Sequence, residues 1–198
     1  MTSYRKFSQA AENNQQPILE KLLRHFTAPG CVLEIGSGSG QHAVRFGAEL
    51  PHLNWQPTEQ PEQVADLEAN LAAFASGNVR DPLPLTVGGR WPPGSYHYGF
   101  LANVLHIMPE ENMHPLFQGL DISLIPGAVL CLYGPFKYEG NYTSDSNAKF
   151  DEWLGSQYAG GGIRDFERVV DAAVEHGCSL VVDHSMPANN QLLVFSKR

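Results

Sequence analysis

Three glycines alternate with serines in Gly36-Ser37-Gly38-Ser39-Gly40, directly after the apolar run Cys31-Val32-Leu33-Glu34-Ile35. Glycine carries no Cβ, so such a run lets the chain turn sharply and brings backbone N–H groups close to a bound molecule. Two acids flank it. Glu34 lies two residues before Gly36, and Glu59 nineteen positions after Gly40, at the end of the run Leu53 to Thr58. A carboxylate accepts on both oxygens and can take both protons of a ribose diol. Further along, Asn103 and His106 follow the run Tyr98 to Val104, and Tyr133 closes the run Ala128 to Tyr133. Asn103 can bind a polar ligand end or orient a nucleophile. His106, with an ordinary pKa near ~6.5, can serve as a general base, and Tyr133 can shape an acceptor pocket. The same residues also have structural uses: a helix cap for Asn103, a packed imidazole for His106 and a core phenol for Tyr133.

These groups need elements to position them. Residues 1–16 are polar and amide-rich and read as a mobile arm or weak helix. Pro17 fits the first turn of a helix carrying Ile18, Leu19, Leu22, Leu23 and Phe26. Strands are expected at Cys31 to Ile35, Leu53 to Thr58, Leu83 to Val87, Tyr98 to Val104 and Ala128 to Tyr133. A closing pair follows at Ser179 to His184 and Gln191 to Phe195. Helices alternate with them: Gln41 to about Leu50, one opened by Pro61, Pro109 to Leu124, and Asp165 to His176 with Asp165 as N-cap and Gly177 as C-cap. That order predicts an α/β fold: a mostly parallel seven-stranded sheet with helices on both faces and a C-terminal antiparallel strand pair. Ligands of such sheets bind at the carboxyl ends of the strands, so the loops after strands one to four carry the site. Residues 137–163 interrupt the alternation with a polar, aromatic-bearing insert expected near the acceptor site, where Tyr138 to Phe150 and the N-terminal arm Phe7 to Gln16, part of the arm and helix of residues 1–29, are expected to form the acceptor pocket. Trp55, Trp91 and Trp153 read as packing residues, Arg164 as an ion-pair partner, and Asn189 and Asn190 as turn formers.

The chain of 198 residues suits one domain, 1–198, and 42% hydrophobic against 17% charged residues gives it a core. A net charge of −8 with no basic window argues against nucleic-acid binding. No apolar run approaches the ~18 residues of a membrane span, and the polar N-terminus does not read as a secretory signal. Cys31, Cys131 and Cys178 fit buried thiols of a reduced, cytoplasmic protein, and the eight histidines show no metal-ligand spacing.

A Walker A loop is excluded, because no Lys-Ser or Lys-Thr follows the glycines. Gly38-Ser39-Gly40-Gln41-His42-Ala43 fits the dinucleotide pattern G-x-G-x-x-A, which keeps a NAD-type oxidoreductase in view, although 198 residues leave little room for its substrate domain. With Glu34 in the strand, the arrangement E-x-G-x-G-x-G resembles motif I of class I methyltransferases, which bind S-adenosylmethionine.

The resemblance narrows in Leu132-Tyr133-Gly134-Pro135-Phe136-Lys137-Tyr138, Thr143-Ser144-Asp145-Ser146-Asn147-Ala148-Lys149-Phe150-Asp151, Ala10-Ala11-Glu12-Asn13, Ala102-Asn103-Val104-Leu105-His106-Ile107-Met108, Gly162-Ile163-Arg164-Asp165-Phe166 and Asp183-His184-Ser185-Met186-Pro187-Ala188-Asn189-Asn190. These segments resemble a poorly characterised methyltransferase-like family that includes methyltransferase-like protein 26. The resemblance covers almost the whole chain. It implies the Rossmann-like class I methyltransferase fold and S-adenosylmethionine as cofactor, held by Glu34, Gly36, Ser37, Gly38, Gly40, Glu59, Thr86, Val87 and Asn103. The catalytic candidates are Asn103, His106 and Tyr133, and the acceptor is expected to be a small molecule. The chain departs from the family at Asn13, where Arg is usual, and at Thr86, where an acid is usual. These departures keep a non-catalytic binding module as a further alternative.

Overall fold

The computed structural model describes residues 3–92 and 95–198. Helix α1 spans Gln9–His25, strand β1 Gly30–Ile35, α2 Gln41–Glu49, β2 Leu53–Glu59, α3 Val64–Phe74, β3 Leu83–Pro84 and β4 Tyr96–Ala102. Then come α4 Met113–Ser123, β5 Leu124–Gly134, β6 Phe136–Tyr138, β7 Asn141–Tyr142, α5 Asp145–Gln157, β8 Arg164–Asp165, α6 Phe166–Glu175, β9 Cys178–Met186 and β10 Asn190–Lys197.

Seven strands form one sheet in the order β3-β2-β1-β4-β5-β10-β9. β1 to β5 run parallel, while β10 lies antiparallel between β5 and β9. The expected α/β fold with its closing antiparallel pair is therefore present. The insert builds a second, three-stranded sheet, β7-β6-β8.

Side chains on a strand alternate between faces, and both faces here are covered. Val32, Phe100, Cys131, Tyr133, Leu192 and Val194 pack with Ile18, Leu22, Phe46 and Leu67 of α1, α2 and α3. Their neighbours Leu33, Leu101, Leu130, Leu132, Leu193 and Phe195 pack with Leu116, Phe117, Val169 and Ala173 of α4 and α6.

Several expectations are corrected. Pro17 lies inside α1, not in its first turn. The helix starts eight residues earlier because Ser8 caps it, its Oγ accepting from the Ala11 N–H at 3.2 Å. An internal proline costs about 3 kcal/mol; burial of Ile18, Leu19 and Leu22 just beyond it opposes that cost. The N-terminal segment is also pinned rather than free. Asn70 accepts from Arg5 N at 2.8 Å and donates to Arg5 O at 3.0 Å, and Gln41 Oε1 accepts from Ser8 N at 2.7 Å.

The third strand shrinks to Leu83–Pro84, since Pro82 and Pro84 have no N–H to give a ladder. Thr86 falls beyond it in a turn closed by Gly89 N–H to Thr86 O at 2.9 Å. Asp165 stands at the N-cap of α6 but makes no capping bond, and its Oδ1 is buried without a partner. Asp145 is the first residue of α5; Ser144 is its cap. Trp55 and Trp91 are buried, but Trp153 is half exposed and stacks on Phe150 at 5.6 Å. Gly177, with φ +77°, ends α6 as expected, and Asn189, with φ +57°, lies in the final turn. Among the described residues no helix is long and apolar enough to cross a membrane, and no group of three or more His, Cys, Asp or Glu residues could hold a metal ion.

Candidate functional site

The glycine loop joins β1 to α2 at the carboxyl edge of the sheet. Ser37 N–H donates to Thr58 O at 2.9 Å and Gly40 N–H to Ser37 O at 2.9 Å, which folds the loop back against the end of β2. Gly38 and Gly40 have φ of +58° and +80°, the left-handed region. They differ in what surrounds them. A Cβ at Gly40 would lie 2.8 Å from Leu67 Cδ1, so Gly40 packs the loop onto α3; a Cβ at Gly38 would meet nothing within 4 Å. Gly38 is thus the open face of the loop.

Glu59 ends β2 below that face. Its Oε2 accepts from Gly38 N–H at 2.7 Å and its Oε1 from Gln60 N–H at 2.8 Å. Each oxygen keeps a further acceptor position. The side chain is buried against the loop. Glu59 O also takes the Leu85 N–H at 2.8 Å. Beside it an apolar hollow of about 310 Å³ is lined by Thr58, Leu83, Leu85, Arg90 and Trp91.

Glu34 is 1% exposed and faces the sheet interior. Its Oε2 accepts from the Trp55 indole N–H at 2.8 Å, and Thr58 Oγ1 donates to its backbone carbonyl at 2.7 Å. Burial pushes its carboxyl up to about 7, against the hydrogen bonds from Trp55 and Ser37 and with the help of Glu59. Glu34 therefore ties β1, β2 and the loop together.

The second half of the site gathers at the ends of β4 and β5. Asn103 sits one residue past β4 in the left-handed region, φ +60°, and donates its N–H to Tyr133 O at 2.9 Å. No helix follows directly, so Asn103 is a turn residue rather than a helix cap. Tyr133 is buried, and desolvation raises its hydroxyl pKa while the Asn14 amide acts against that. Asn14 in turn meets His42: the two buried side chains lie 2.7 Å apart, Oδ1 to Nε2.

His106 is 5% exposed, with its ring 5.5 Å from that of Phe150 in the insert. Burial, then the Arg164 guanidinium, push its pKa down to about 4, so it is neutral at physiological pH and only a weak base. Arg164 forms the expected ion pair, a long one with Glu110, and gives most of its donors to backbone carbonyls. Its Nε donates to Leu105 O at 3.1 Å and its Nη2 to Met108 O at 2.5 Å and Gly160 O at 2.7 Å, while Glu110 stands 4.0 Å away. It holds the loop after β4 against β8. The insert is anchored from the other side by Asn147, whose Nδ2 donates to Thr143 Oγ1 at 2.8 Å and Asn189 O at 3.1 Å. A polar cavity of about 340 Å³, lined by Glu110, Lys137, Asp151, Arg164 and Asp165, lies behind these contacts.

The structure thus brings Gly36, Ser37, Gly38, Gly40, Glu34 and Glu59 into one loop cluster, and Asn103, His106 and Tyr133 onto the neighbouring strand ends. Thr86 is exposed and Val87 half-buried in the turn after β3. Asn14, His42, Gln41 and Asn70 were missed. The signal for two of them was present: Asn14 stands four residues before Ile18, and His42 four before Phe46, so each is a polar residue in an apolar helical stripe.

The profile of a family described as "Protein of unknown function (DUF938)" matches residues 5–197. Methyltransferase tpcM of Aspergillus fumigatus is 28% identical over 112 residues, 56% of this chain and 33% of that protein. The chain therefore spans about a third of this curated relative. An O-methyltransferase family protein from Burkholderia thailandensis superimposes with a TM-score of 0.82 at 15% identity, covering 95% of this chain and 57% of that one. The S-adenosylmethionine-dependent methyltransferase SibL does so with a TM-score of 0.80 at 17% identity, covering 95% and 55%. These similarities establish the class I methyltransferase fold.

Proposed function

We propose, starting from the fact that the chain belongs to the DUF938 family, that it is an S-adenosylmethionine-dependent methyltransferase acting on a small-molecule acceptor. The observation that carries this reading is the pairing of Gly38 and Glu59: an open left-handed glycine directly above a carboxylate with spare acceptor capacity on both oxygens. Those residues fit an adenosine. Glu59 takes the ribose hydroxyls, the hollow of Leu83, Leu85 and Trp91 gives the base an apolar wall, and the backbone at Gly36 to Gly38 passes under the amino-acid end. When bound, S-adenosylmethionine supplies a methyl group already activated on a sulfonium.

The chain's own residues then have to orient the acceptor and exclude water, and positioning alone supplies much of a displacement reaction's barrier reduction. Asn103 and Tyr133 present polar groups at the strand ends, while His106 and Phe150 form the wall on the insert side. Residues 137–163 and the N-terminal helix flank that space.

A NAD-type oxidoreductase is the weaker reading. The dinucleotide fold has six parallel strands, whereas here the antiparallel β10 lies between β5 and β9. The Gly38 N–H, which a pyrophosphate would use, is also already given to Glu59.

Calorimetry with S-adenosylhomocysteine and with NAD, at matched concentrations, tests this. Heat of binding from S-adenosylhomocysteine alone is expected. Binding of NAD alone, or of neither, overturns the reading. Transfer of a labelled methyl group into a metabolite extract then separates an enzyme from a binding module.

A further inference from the structure

The small sheet of the insert carries a concave site of its own. Strands β6 and β8 run parallel with Lys137 directly opposite Asp165. Both residues line the polar cavity of about 340 Å³. Opposite charges that face each other across two strands ordinarily pair. Here they stay apart: among the described residues Lys137 and Asp165 form no ion pair. The Lys137 ammonium lies instead over the ring of Tyr142 on β7, 5.6 Å from its centroid.

The other charges of the cavity divide into occupied and free. Asp151 is occupied: its Oδ1 accepts from Ile163 N–H at 2.5 Å and its Oδ2 from the Tyr142 hydroxyl at 2.6 Å. Glu110 is paired with Arg168. Asp165 is free. Neither of its oxygens accepts a hydrogen bond among the described residues, and Oδ1 is buried without a partner. Arg164 is 7% exposed and has five N–H groups. Nε and Nη2 give theirs to the carbonyls of Leu105, Met108 and Gly160. The two on Nη1 have only Glu110 Oε2 at 4.0 Å, beyond hydrogen-bond reach. Nη1 stands at the cavity wall: a Cβ on Gly162, another lining residue, would lie 3.8 Å from it and 3.0 Å from Asp151 Oδ1. Two cationic donors and one carboxylate therefore remain unspent around one space.

We propose that this cavity is a binding site for a small zwitterion, an amino acid or dipeptide, whose carboxylate meets Lys137 Nζ and Arg164 Nη1 and whose ammonium meets Asp165. The inference goes beyond the methyltransferase reading and does not depend on it. A simple anion would leave Asp165 without a partner and would enter beside three carboxylates. A simple cation would leave Lys137 and Arg164 Nη1 unspent. A ligand that carries both charges satisfies all three groups at once, and each charge-assisted bond is among the stronger kinds. The cavity is large enough for such a molecule, and the wall at Gly155 is open: a Cβ there would meet nothing within 4 Å.

The full chain, without cofactor, is titrated with L-alanine and with glycylglycine, each beside its N-acetyl and its C-terminal amide form, and followed by amide NMR. At least one zwitterion is expected to bind about tenfold more tightly than both of its single-charge forms, the lower end of what a hydrogen bond to a charged group gives. Shifted amides should cluster at residues 155 and 161–165. The zwitterion that binds better reports the spacing between the two charges. Asp165→Asn should lower its affinity to about that of the N-acetyl form, and Lys137→Gln to about that of the amide. Gly155→Leu, on the exposed side of α5, fills the open wall and should abolish binding with the denaturation midpoint unchanged. No binding by any probe, a zwitterion held no better than its single-charge forms, or a preference that survives Asp165→Asn or Gly155→Leu overturns the proposal. None of these results bears on S-adenosylhomocysteine binding, which tests the cofactor reading separately.

Discussion

The two halves of the site are built on different principles. The glycine-loop half comes from one short stretch, Glu34 to Gly40, closed by Glu59 and Thr58 of the adjacent parallel strand. Its geometry is mostly backbone. The half we propose for the acceptor takes its groups from six places: Asn14, His42, Asn103, His106, Tyr133 and the insert around Phe150. Its geometry is mostly side chain, and its members are held by buried polar contacts such as His42 to Asn14 and Asn147 to Asn189. A backbone-made site tolerates little change in residue type. A side-chain-made site can be altered one contact at a time, so chemistry on a fixed scaffold varies there first.

The largest expected effect breaks the backbone half. Gly40→Val places a branched side chain at φ +80° and drives its Cβ to within 2.8 Å of Leu67. Strain and overpacking together should cost about 3–5 kcal/mol, read by chemical denaturation. A variant as stable as wild type would show that the loop is not packed as described.

Next comes Glu34. Its carboxyl is raised from 4.5 to about 7, so the folded state holds a proton the unfolded state has released between those values. The stability this contributes is complete below the unfolded pKa and lost as pH rises through about 7. Wild-type protein should therefore lose up to about 3 kcal/mol between pH 4.5 and pH 8, and Glu34→Gln should remove most of that loss. Parallel stability curves for the two proteins would contradict it.

Glu59→Ala sharpens the comparison, since it removes the proposed ribose acceptor together with the bond to Gly38 N–H that closes the loop. S-adenosylhomocysteine affinity should fall by about 1.5–3 kcal/mol, the range for hydrogen bonds to a charged group. Unchanged affinity in calorimetry would remove Glu59 from the site.

The smallest effect belongs to the insert. Asn147→Ala deletes its bonds to Thr143 and Asn189 and should cost about 1 kcal/mol. Amide exchange over residues 138–150 should quicken while S-adenosylhomocysteine affinity stays the same. A parallel fall in that affinity would mean the halves are coupled.

The same contrast explains what could be read from the sequence. The placement of the glycine loop and Glu59 side by side at the carboxyl edge of the sheet was legible because it follows from local spacing after a strand. The sheet was legible because apolar runs of strand length alternate with helical stripes. What stayed hidden depends on distant partners. Nothing near Pro17 shows that Ser8 starts the helix and that buried Ile18 and Leu22 carry it past a proline. The third strand is shorter than the apolar run Leu83 to Val87 suggests, because the two prolines that withhold ladder donors decide its length. Asp165 has the residue type of a cap and a geometry that does not use it. Asn14 and His42 are ordinary polar residues until the helices bring their side chains within 2.7 Å of each other.

The position of β10 also governs the order in which the molecule can be completed. Asn190–Lys197 follows both of its neighbours along the chain, yet it occupies an interior slot, hydrogen-bonded to β5 on one side and β9 on the other. Until it arrives, Val129 to Gly134 presents an unsatisfied edge of buried apolar residues, the kind of surface that templates aggregation. A nascent chain stalled before Asn190 would expose Tyr133 and its neighbours to other chains, and a ribosome-bound intermediate of this protein should therefore be a chaperone client until β10 has emerged.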